Sequence, residues 1–313
     1  MEEKIAEKKV NVVTSGEVSW YNLYRPKISD IKWLKEKFPS LHQLDLETCL
    51  AVKTQRPKVD FYSDYIFFVI HLPFWENEEA QVQIAELNIF LGKNFIVTLY
   101  HQRFRRLKKT FSEGLKSEKK TKNLLANGPE ILLFHLIKRE ISAIFSFLDK
   151  ISMKMEKINR QLFSETEKNL VMQIFQLKRD IIILKTSITP QIEIFQQMET
   201  RSNQKQGNTG VYWGILADNL RRISDRIENN KDLINGLSST FESFLSYRTN
   251  EIIKVLTIFS VILLPLTFIT GAYGMNLAKL PLSSHPLSFW ILLSGMLVLV
   301  FSMIFFFKKK RWI

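Results

Sequence analysis

Two long apolar runs close the chain, at 255–273 and 287–307, and neither contains a charged residue. A helix needs about 20 residues to cross the hydrocarbon core of a bilayer. The pattern therefore predicts two transmembrane helices, at about 255–275 and 287–307. Between them we expect a short extracytoplasmic loop at 276–286, and after them a basic cytoplasmic tail at 308–313.

The first part of the chain, 1–127, has the pattern of an α/β domain. β-Branched and aromatic residues predict strands at Tyr65–Leu72, Val82–Leu91 and Phe95–Tyr100, with Gly92-Lys93-Asn94 as a hairpin connection between the last two. A helix is expected before them, with Ser29 as its N-terminal cap and Pro39 at its end. Its apolar face would contain Ile31, Leu34 and Phe38.

Residues 128–210 change to a helical hairpin. Pro129 suits a first helical turn, and apolar residues keep helical spacing from Ile141 to Leu162. A second helix is expected at roughly Glu165–Glu199, with Pro190 as a kink or an early end. The polar segment Arg201–Gly210 would form the tip of the hairpin.

The segment 211–275 contains no proline before Pro265. We therefore expect one stalk helix that continues into the first span, some 60 residues or about 90 Å long. Such a helix is too long to be covered by one small domain, so it should run from the cytosol into the membrane.

The stalk helix has two stripes of residues spaced three and four apart. The apolar stripe contains Leu216, Leu220, Ile223, Ile227, Ile234, Leu237, Phe241 and Phe244. The polar stripe begins with Asp218, Arg222, Asp225, Asn229, Asp232, Gly236, Ser239, Ser243 and Ser246. It continues into the span as Asn250, Ile253, Thr257, Ser260, Leu264, Thr267, Gly271 and Gly274.

The polar stripe has two interpretations inside the membrane. Small and hydroxyl residues can bring neighbouring helices into close contact in lipid. Alternatively, they can line a water-filled path. Asp225 and Asp232 favour the path, because rings of acids would attract cations into a symmetric channel. A straight helix drifts about 20° per heptad, so the stripe stays on one face only if the helices supercoil.

Charge predicts the orientation. All 31 acidic residues precede Lys254, whereas Lys308-Lys309-Lys310-Arg311 follows the second run. By the positive-inside rule, both termini are expected to be cytoplasmic, in the cytoplasmic membrane. The first residues lack the apolar region of a signal peptide, and the single Cys49 suits a reducing cytosol.

Other function classes receive little support from the sequence. The mildly basic soluble part contains no nucleic-acid-binding motif, so we expect no nucleic-acid partner. The five histidines are scattered without metal-ligand spacing or a nucleophile motif, so we expect no enzyme, no catalytic residue and no organic cofactor.

The chain resembles the CorA family of magnesium transporters, whose signature is Gly-Met-Asn at the end of the first of two spans. Here the signature is Gly274-Met275-Asn276. The likeness extends to Thr249-Asn250-Glu251, Lys254-Val255-Leu256-Thr257, Pro265-Leu266-Thr267-Phe268, Lys308-Lys309-Lys310-Arg311-Trp312, Arg56-Pro57-Lys58-Val59 and Leu91-Gly92-Lys93-Asn94. It covers nearly the whole chain.

The resemblance implies a funnel-shaped homopentamer that carries divalent cations, most often Mg²⁺, between the stalk helices. Gly274, Met275 and Asn276 would form its outer selectivity mouth. The pore would be lined by Asn250, Leu264, Thr267 and Gly271, with Leu264 and Ile253 as apolar constrictions.

The resemblance also implies regulation by cytosolic Mg²⁺ that bridges acids of neighbouring subunits. The acidic loop with Glu76, Glu78 and Glu79 matches one side of such a site. On the stalk, Ile215 stands where an acid is expected, and Asp218 is the nearest carboxylate. A second departure is Lys279 beside the mouth, where many family members carry acids.

Two alternatives stay open. Met275 offers a thioether to softer ions, so zinc, cobalt or nickel could be the cargo. The chain could also be a membrane-anchored structural or signalling oligomer that does not conduct. An anchor of that kind would not need the polar stripe from Asn250 to Gly274.

Overall fold

The computed structural model describes residues 11–51, 55–76, 81–102, 104–161, 167–204, 209–275 and 286–312. Strands and helices alternate at first, and helices alone follow. In chain order the elements are β1 (Val12–Ser15), β2 (Val18–Tyr24), α1 (Ile28–Lys37), α2 (Gln43–Thr48), β3 (Lys58–Phe61), β4 (Tyr65–Glu76), β5 (Gln81–Gly92), β6 (Phe95–Tyr100), α3 (Arg105–Lys116), α4 (Glu118–Leu125), α5 (Gly128–Gln161), α6 (Glu167–Gln204), α7 (Gly210–Tyr273) and α8 (Ser288–Lys309).

The strands form one six-stranded sheet in the order β1-β2-β6-β5-β4-β3. β2 and β6 run parallel, and the other neighbours are antiparallel. The predicted hairpin is confirmed, since β5 and β6 are joined across Lys93 and Asn94 with Leu91 opposite Ile96. The parallel pairing places the N-terminal strands beside this hairpin.

Both faces of the sheet are covered. Phe67 and Phe90 belong to a buried cluster with Leu34 of α1 and Leu46 of α2. Because successive strand side chains point to opposite faces, Phe68 lies on the other face. There its ring stacks 6.0 Å from that of Trp213, so the start of α7 packs on the sheet.

The first helix starts differently from the prediction. Ser29 is not the cap of α1, because the extended residue that precedes the helix is Lys27. The Lys27 backbone N–H donates to the Asp30 carboxylate at 2.8 Å. The acid at the third helical position thus accepts from the backbone N–H of the cap residue, which is the reciprocal half of a capping box.

Two prolines interrupt their elements less than the sequence predicts. β4 continues through Pro73 to Glu76. β3 reaches only Val69, and the His71 N–H, which faces the same way along the strand as position 73, donates to the Gln191 side chain rather than to β5, so Pro73 withdraws no N–H from the β4–β5 ladder. α6 continues through Pro190 to Gln204, so an early end is wrong. The next residue, Gln191, holds this turn on β4, because its amide donates to the His71 carbonyl at 2.8 Å.

α7 spans 64 residues and is divided between two compact units, one ending at Leu237 and the other beginning at Ser238. The sheet and the helices α1–α6 belong to the first unit, and α8 to the second. The predicted domain boundaries at residues 127, 210, 275, 286 and 307 stay predictions. The elements on either side of residue 127 belong to the same unit.

Candidate ion pathway

The first half of α7 has one buried face. In its apolar stripe, Leu216, Leu220, Ile223, Ile227 and Ile234 are each at most 1% exposed. Its polar stripe is exposed throughout, at Asp218, Arg222, Asp225, Asn229, Asp232 and Gly236. Burial of the apolar stripe in its own unit orients the polar stripe outward.

Acids beside the polar stripe are paired, whereas two acids within it are not. Glu228 accepts a hydrogen bond from Lys185 of α6 at 2.7 Å and another from Lys231. These bonds lower the pKa of Glu228 below its ordinary value. Asp225 and Asp232 form no ion pair with a residue that the structure describes. Their carboxylates are therefore available to ions outside the chain.

One polar residue on the covered face was missed by the sequence reasoning. Asn230 is only 5% exposed, and its side-chain carbonyl accepts a hydrogen bond from Ser152 of α5 at 3.1 Å. The signal was present as a gap in the apolar stripe between Ile227 and Ile234. Asn230 occupies that gap and joins α7 to α5 through a buried polar contact.

In the second half of α7, every predicted pore-lining position is exposed within the single chain. These positions are Asn250, Ile253, Thr257, Ser260, Leu264, Thr267 and Gly271. The covered positions lie elsewhere: Ile258 is 8% exposed, and Ile262, Pro265 and Ile269 are half-buried. Ser260 follows Ile258 by two residues, which is about 200° around a helix. The polar stripe therefore lies on the side of α7 that its own chain leaves open.

The hydroxyl groups of this stripe all donate to the helix itself. Thr257 donates to the Ile253 carbonyl at 2.7 Å, and Ser260 donates to the Leu256 carbonyl at 2.9 Å. Thr267 donates to the Leu264 carbonyl at 2.9 Å. A hydroxyl that has given its proton to the backbone can only accept from an outside partner. The stripe therefore presents acceptor oxygens, which suit the outward hydrogens of a hydrated cation.

α7 ends at the predicted mouth. The Gly274 N–H donates to the Thr270 carbonyl at 2.9 Å, the last turn of the helix, and Met275 is 56% exposed. A Cβ added at Gly271 would meet nothing within 4 Å. Glycine is therefore not required there by packing within the chain. Asn276 and Lys279 lie outside the described residues.

The candidate regulatory acids are not brought together in the single chain. Asp218 is exposed and pairs with Arg221 at 2.5 Å, while Ile215 is 38% exposed. Glu76 ends β4, and Glu78 and Glu79 lie outside the described residues. Within the described ranges, no three His, Cys, Asp or Glu side chains meet in a group that could hold a metal.

In the part of the chain that the structure describes, two helices, α7 and α8, are long and apolar enough to cross a membrane, and their most apolar windows are almost entirely exposed. A family model of CorA-like Mg²⁺ transporter proteins matches residues 15–309. The chain belongs to this family. The resemblance deduced from the Gly-Met-Asn motif is thereby confirmed.

Relatives of this CorA-like chain match along its whole length. The cobalt/magnesium transport protein CorA of Thermotoga maritima is 28% identical over 306 residues, which cover 96% of this chain and 84% of the relative. The zinc transport protein ZntB of Photorhabdus laumondii is 22% identical, over 96% of this chain and 90% of its own.

The fold agrees with a solved full-length relative. The complete CorA structure from Methanocaldococcus jannaschii superposes with a TM-score of 0.81 at 18% identity, covering 95% of this chain and 92% of that one. The predicted α/β domain, long helix and two apolar C-terminal helices are confirmed. The protein is a CorA-like divalent metal cation transporter of the membrane, and this family is one of transporters rather than enzymes.

Proposed function

We propose that this CorA-like protein carries Mg²⁺ as a homopentamer, with the second halves of five α7 helices around one pore. The observation that carries the proposal is the open polar stripe of α7, which faces away from the covered side of the same helix. Two spans cannot enclose a hole, so the pore must be completed by identical copies. The α8 helices, with Trp290 and many exposed apolar residues, would face the lipid.

The cargo would pass with its water shell intact. Mg²⁺ loses water reluctantly and requires near-octahedral geometry. A ring of Asn276 amide oxygens, with Gly274 and Met275, can accept hydrogen bonds from the waters of the ion. Thr257, Ser260 and Thr267 would continue the same chemistry inward, because their oxygens can only accept. Direct carboxylate ligation would hold the ion too tightly for passage.

Apolar rings would close the path. Leu264 is 69% exposed and Ile253 is 54% exposed, on the same side of α7 as the hydroxyl groups. In a pentamer, rings of these side chains would exclude water when narrow and stop conduction by dewetting. Asp225 and Asp232 would form acidic rings that concentrate cations at the cytosolic end.

The regulatory site would form between subunits. Asp218 is exposed on the stalk, so a neighbour's acidic loop at Glu76, Glu78 and Glu79 could share a Mg²⁺ ion with it. We place both termini in the cytoplasm and the protein in the cytoplasmic membrane, because Lys308–Arg311 follows the second span.

Zinc is the second candidate cargo. It is favoured by full-length similarity to a zinc transport protein and by the exposed thioether of Met275 at the mouth. Cobalt or nickel would have the same chemical basis. A non-conducting anchor would leave the polar stripe without a use.

The test is reconstitution of the purified protein into liposomes that contain a magnesium-sensitive dye. We expect Mg²⁺ influx from the wild type and from Asn123→Ala, a matched change at an exposed position of α4. Asn276→Ala should abolish influx and leave a pentamer by light scattering. No flux from intact wild-type pentamers would refute the channel. Flux of Zn²⁺ without flux of Mg²⁺ would indicate that zinc is the cargo. Full Mg²⁺ flux from Asn276→Ala would refute the assignment of the selectivity mouth.

A further inference from the structure

A basic groove lies in the first unit between α3 and α5, away from the polar stripe. It has a volume of about 390 Å³ and is lined by Arg106, His135, Lys138, Arg139 and Ser142. These five side chains include no acid. The transport pathway proposed above makes no use of them.

Two guanidinium groups of the groove are each held by the opposite helix. Arg106 of α3 contacts the Glu140 carboxylate of α5 at 3.4 Å. Arg139 of α5 donates to the Thr110 hydroxyl of α3 at 2.8 Å, and Thr110 in turn donates to the Arg106 carbonyl at 3.0 Å. These cross-contacts fix both planar groups beside one concavity before a ligand arrives.

The charge of the groove is poorly compensated. The Arg139 partner is a neutral hydroxyl, and Lys138 lies over the Phe134 ring at 5.4 Å. Glu140 contributes the nearby negative charge, but its carboxylate is 11% exposed and lies below the surface. Burial raises the pKa of Glu140, although the nearby charges of Arg106 and, less strongly, Arg139 partly oppose this shift. Several cations therefore converge where an anion would lower their repulsion.

We propose that this groove binds a soluble polyphosphate anion, such as the triphosphate group of a nucleotide. A planar guanidinium recognises phosphate oxygens in pairs, and two fixed guanidinium groups can hold two phosphate groups. The volume lies within the usual range of small-ligand sites. Phe134 is 2% exposed and does not line the groove, and the one ring that does, the imidazole of His135, shares the lining with three cationic side chains. The phosphate groups are therefore the recognised part of the ligand.

Free Mg²⁺ should weaken the binding of the anion to this groove. Mg²⁺ bound to a triphosphate removes two of its negative charges and occupies oxygens that the guanidinium groups need. The groove therefore prefers the metal-free anion. Its occupancy falls as free Mg²⁺ rises.

The experiment is titration calorimetry on the full chain in detergent micelles, with inorganic tripolyphosphate, ATP and inositol trisphosphate in a chelating buffer. We expect tripolyphosphate and ATP to bind with dissociation constants within about threefold, since the phosphate groups make the charged contacts. Excess Mg²⁺ should weaken both at least about tenfold. Absence of tripolyphosphate binding would overturn the proposal. So would a tenfold preference for inositol trisphosphate, which would indicate a lipid headgroup as the source.

Variants locate the site. Arg106→Gln with Arg139→Gln should weaken tripolyphosphate binding at least about tenfold, and Lys138→Gln alone about threefold. The control, Lys122→Gln with Arg160→Gln, removes the same charge from exposed helical ion pairs elsewhere and should bind as the wild type does. Lys138→Gln leaves the α3–α5 cross-contacts intact, so it tests the site even if the double variant unfolds. Equal losses in control and groove variants would show that net charge alone attracts the anion. Because transport is not measured, failure here is distinct from failure of the pore.

Discussion

The two halves of α7 obey the same spacing but find their partners in different places. In the first half, the apolar stripe is buried by the protein itself, as at Leu216, and the polar stripe is exposed. In the second half, large apolar side chains are also exposed, with Phe259 at 63% and Phe268 at 75%. A soluble protein does not tolerate such a surface.

The difference shows which solvent each half of α7 requires. The first half receives its apolar environment from its own unit and exposes only its polar stripe to water. The second half must receive an apolar environment from lipid and, in our proposal, a polar one from the water-filled pore. The same periodic sequence therefore yields a folded core at one end and an assembly surface at the other.

The largest expected effect comes from the same substitution in both halves. Leu216→Ala removes a side chain that is 0% exposed, and it should cost about 3 kcal/mol of stability. Leu264→Ala removes one that is 69% exposed, so stability should change by less than about 0.5 kcal/mol. Instead it should increase Mg²⁺ leak by widening an apolar ring. Thermal unfolding in micelles and liposome flux measure the two results. Equal destabilisation by both variants would contradict the comparison.

The next effect concerns the hydroxyl oxygens that the polar stripe presents to the proposed pore. Thr267→Val keeps the shape of the side chain but removes its oxygen, so Mg²⁺ flux should fall by at least about tenfold, since one lost hydrogen bond of about 1 kcal/mol already lowers a rate about fivefold and five are lost. Thr267→Ser keeps the oxygen and should conduct nearly as the wild type does. Flux with a dye inside liposomes measures both variants. Retention of flux by Thr267→Val would indicate that the stripe serves helix packing.

A smaller effect is expected from the unpaired acids of the first half. Asp225→Asn with Asp232→Asn should lower flux by about threefold at low ionic strength, because fewer cations collect at the cytosolic end. Salt at 0.15 M should hide most of the loss, since screening acts over about 8 Å. Asp149→Asn with Glu156→Gln, which removes acids paired to Arg226 and Arg160, is the matched control. A loss that is independent of salt would point to structural damage.

The smallest effect is expected at the outer loop. Lys279→Glu replaces a positive charge beside the mouth with an acid, so uptake should rise by about twofold at low ionic strength. Lys279→Gln should give an intermediate rise. Initial rates of Mg²⁺ uptake in liposomes measure both. Unchanged uptake at all salt concentrations would show that the charge of Lys279 does not affect cation entry.

Local patterns predicted the local elements well. The β5–β6 hairpin follows from Gly92-Lys93-Asn94 between two apolar runs, and the faces of α7 follow from residues three and four apart. The parallel pairing of β2 with β6 joins residues more than 70 positions apart, so no local pattern indicates it. The continuity of α6 through Pro190 was also not predictable, because it depends on the bonds that Gln191 makes with β4.

In the candidate site, too, some features follow from the sequence and others depend on tertiary contacts. The two spans, the Gly274–Asn276 motif and the stripes were determined by the sequence alone, because they depend on side-chain type and helical period. Only the tertiary structure decided which side of α7 is covered and that Arg106 and Arg139 meet in one groove. These features depend on contacts between distant segments, and such contacts exist only after the chain has packed.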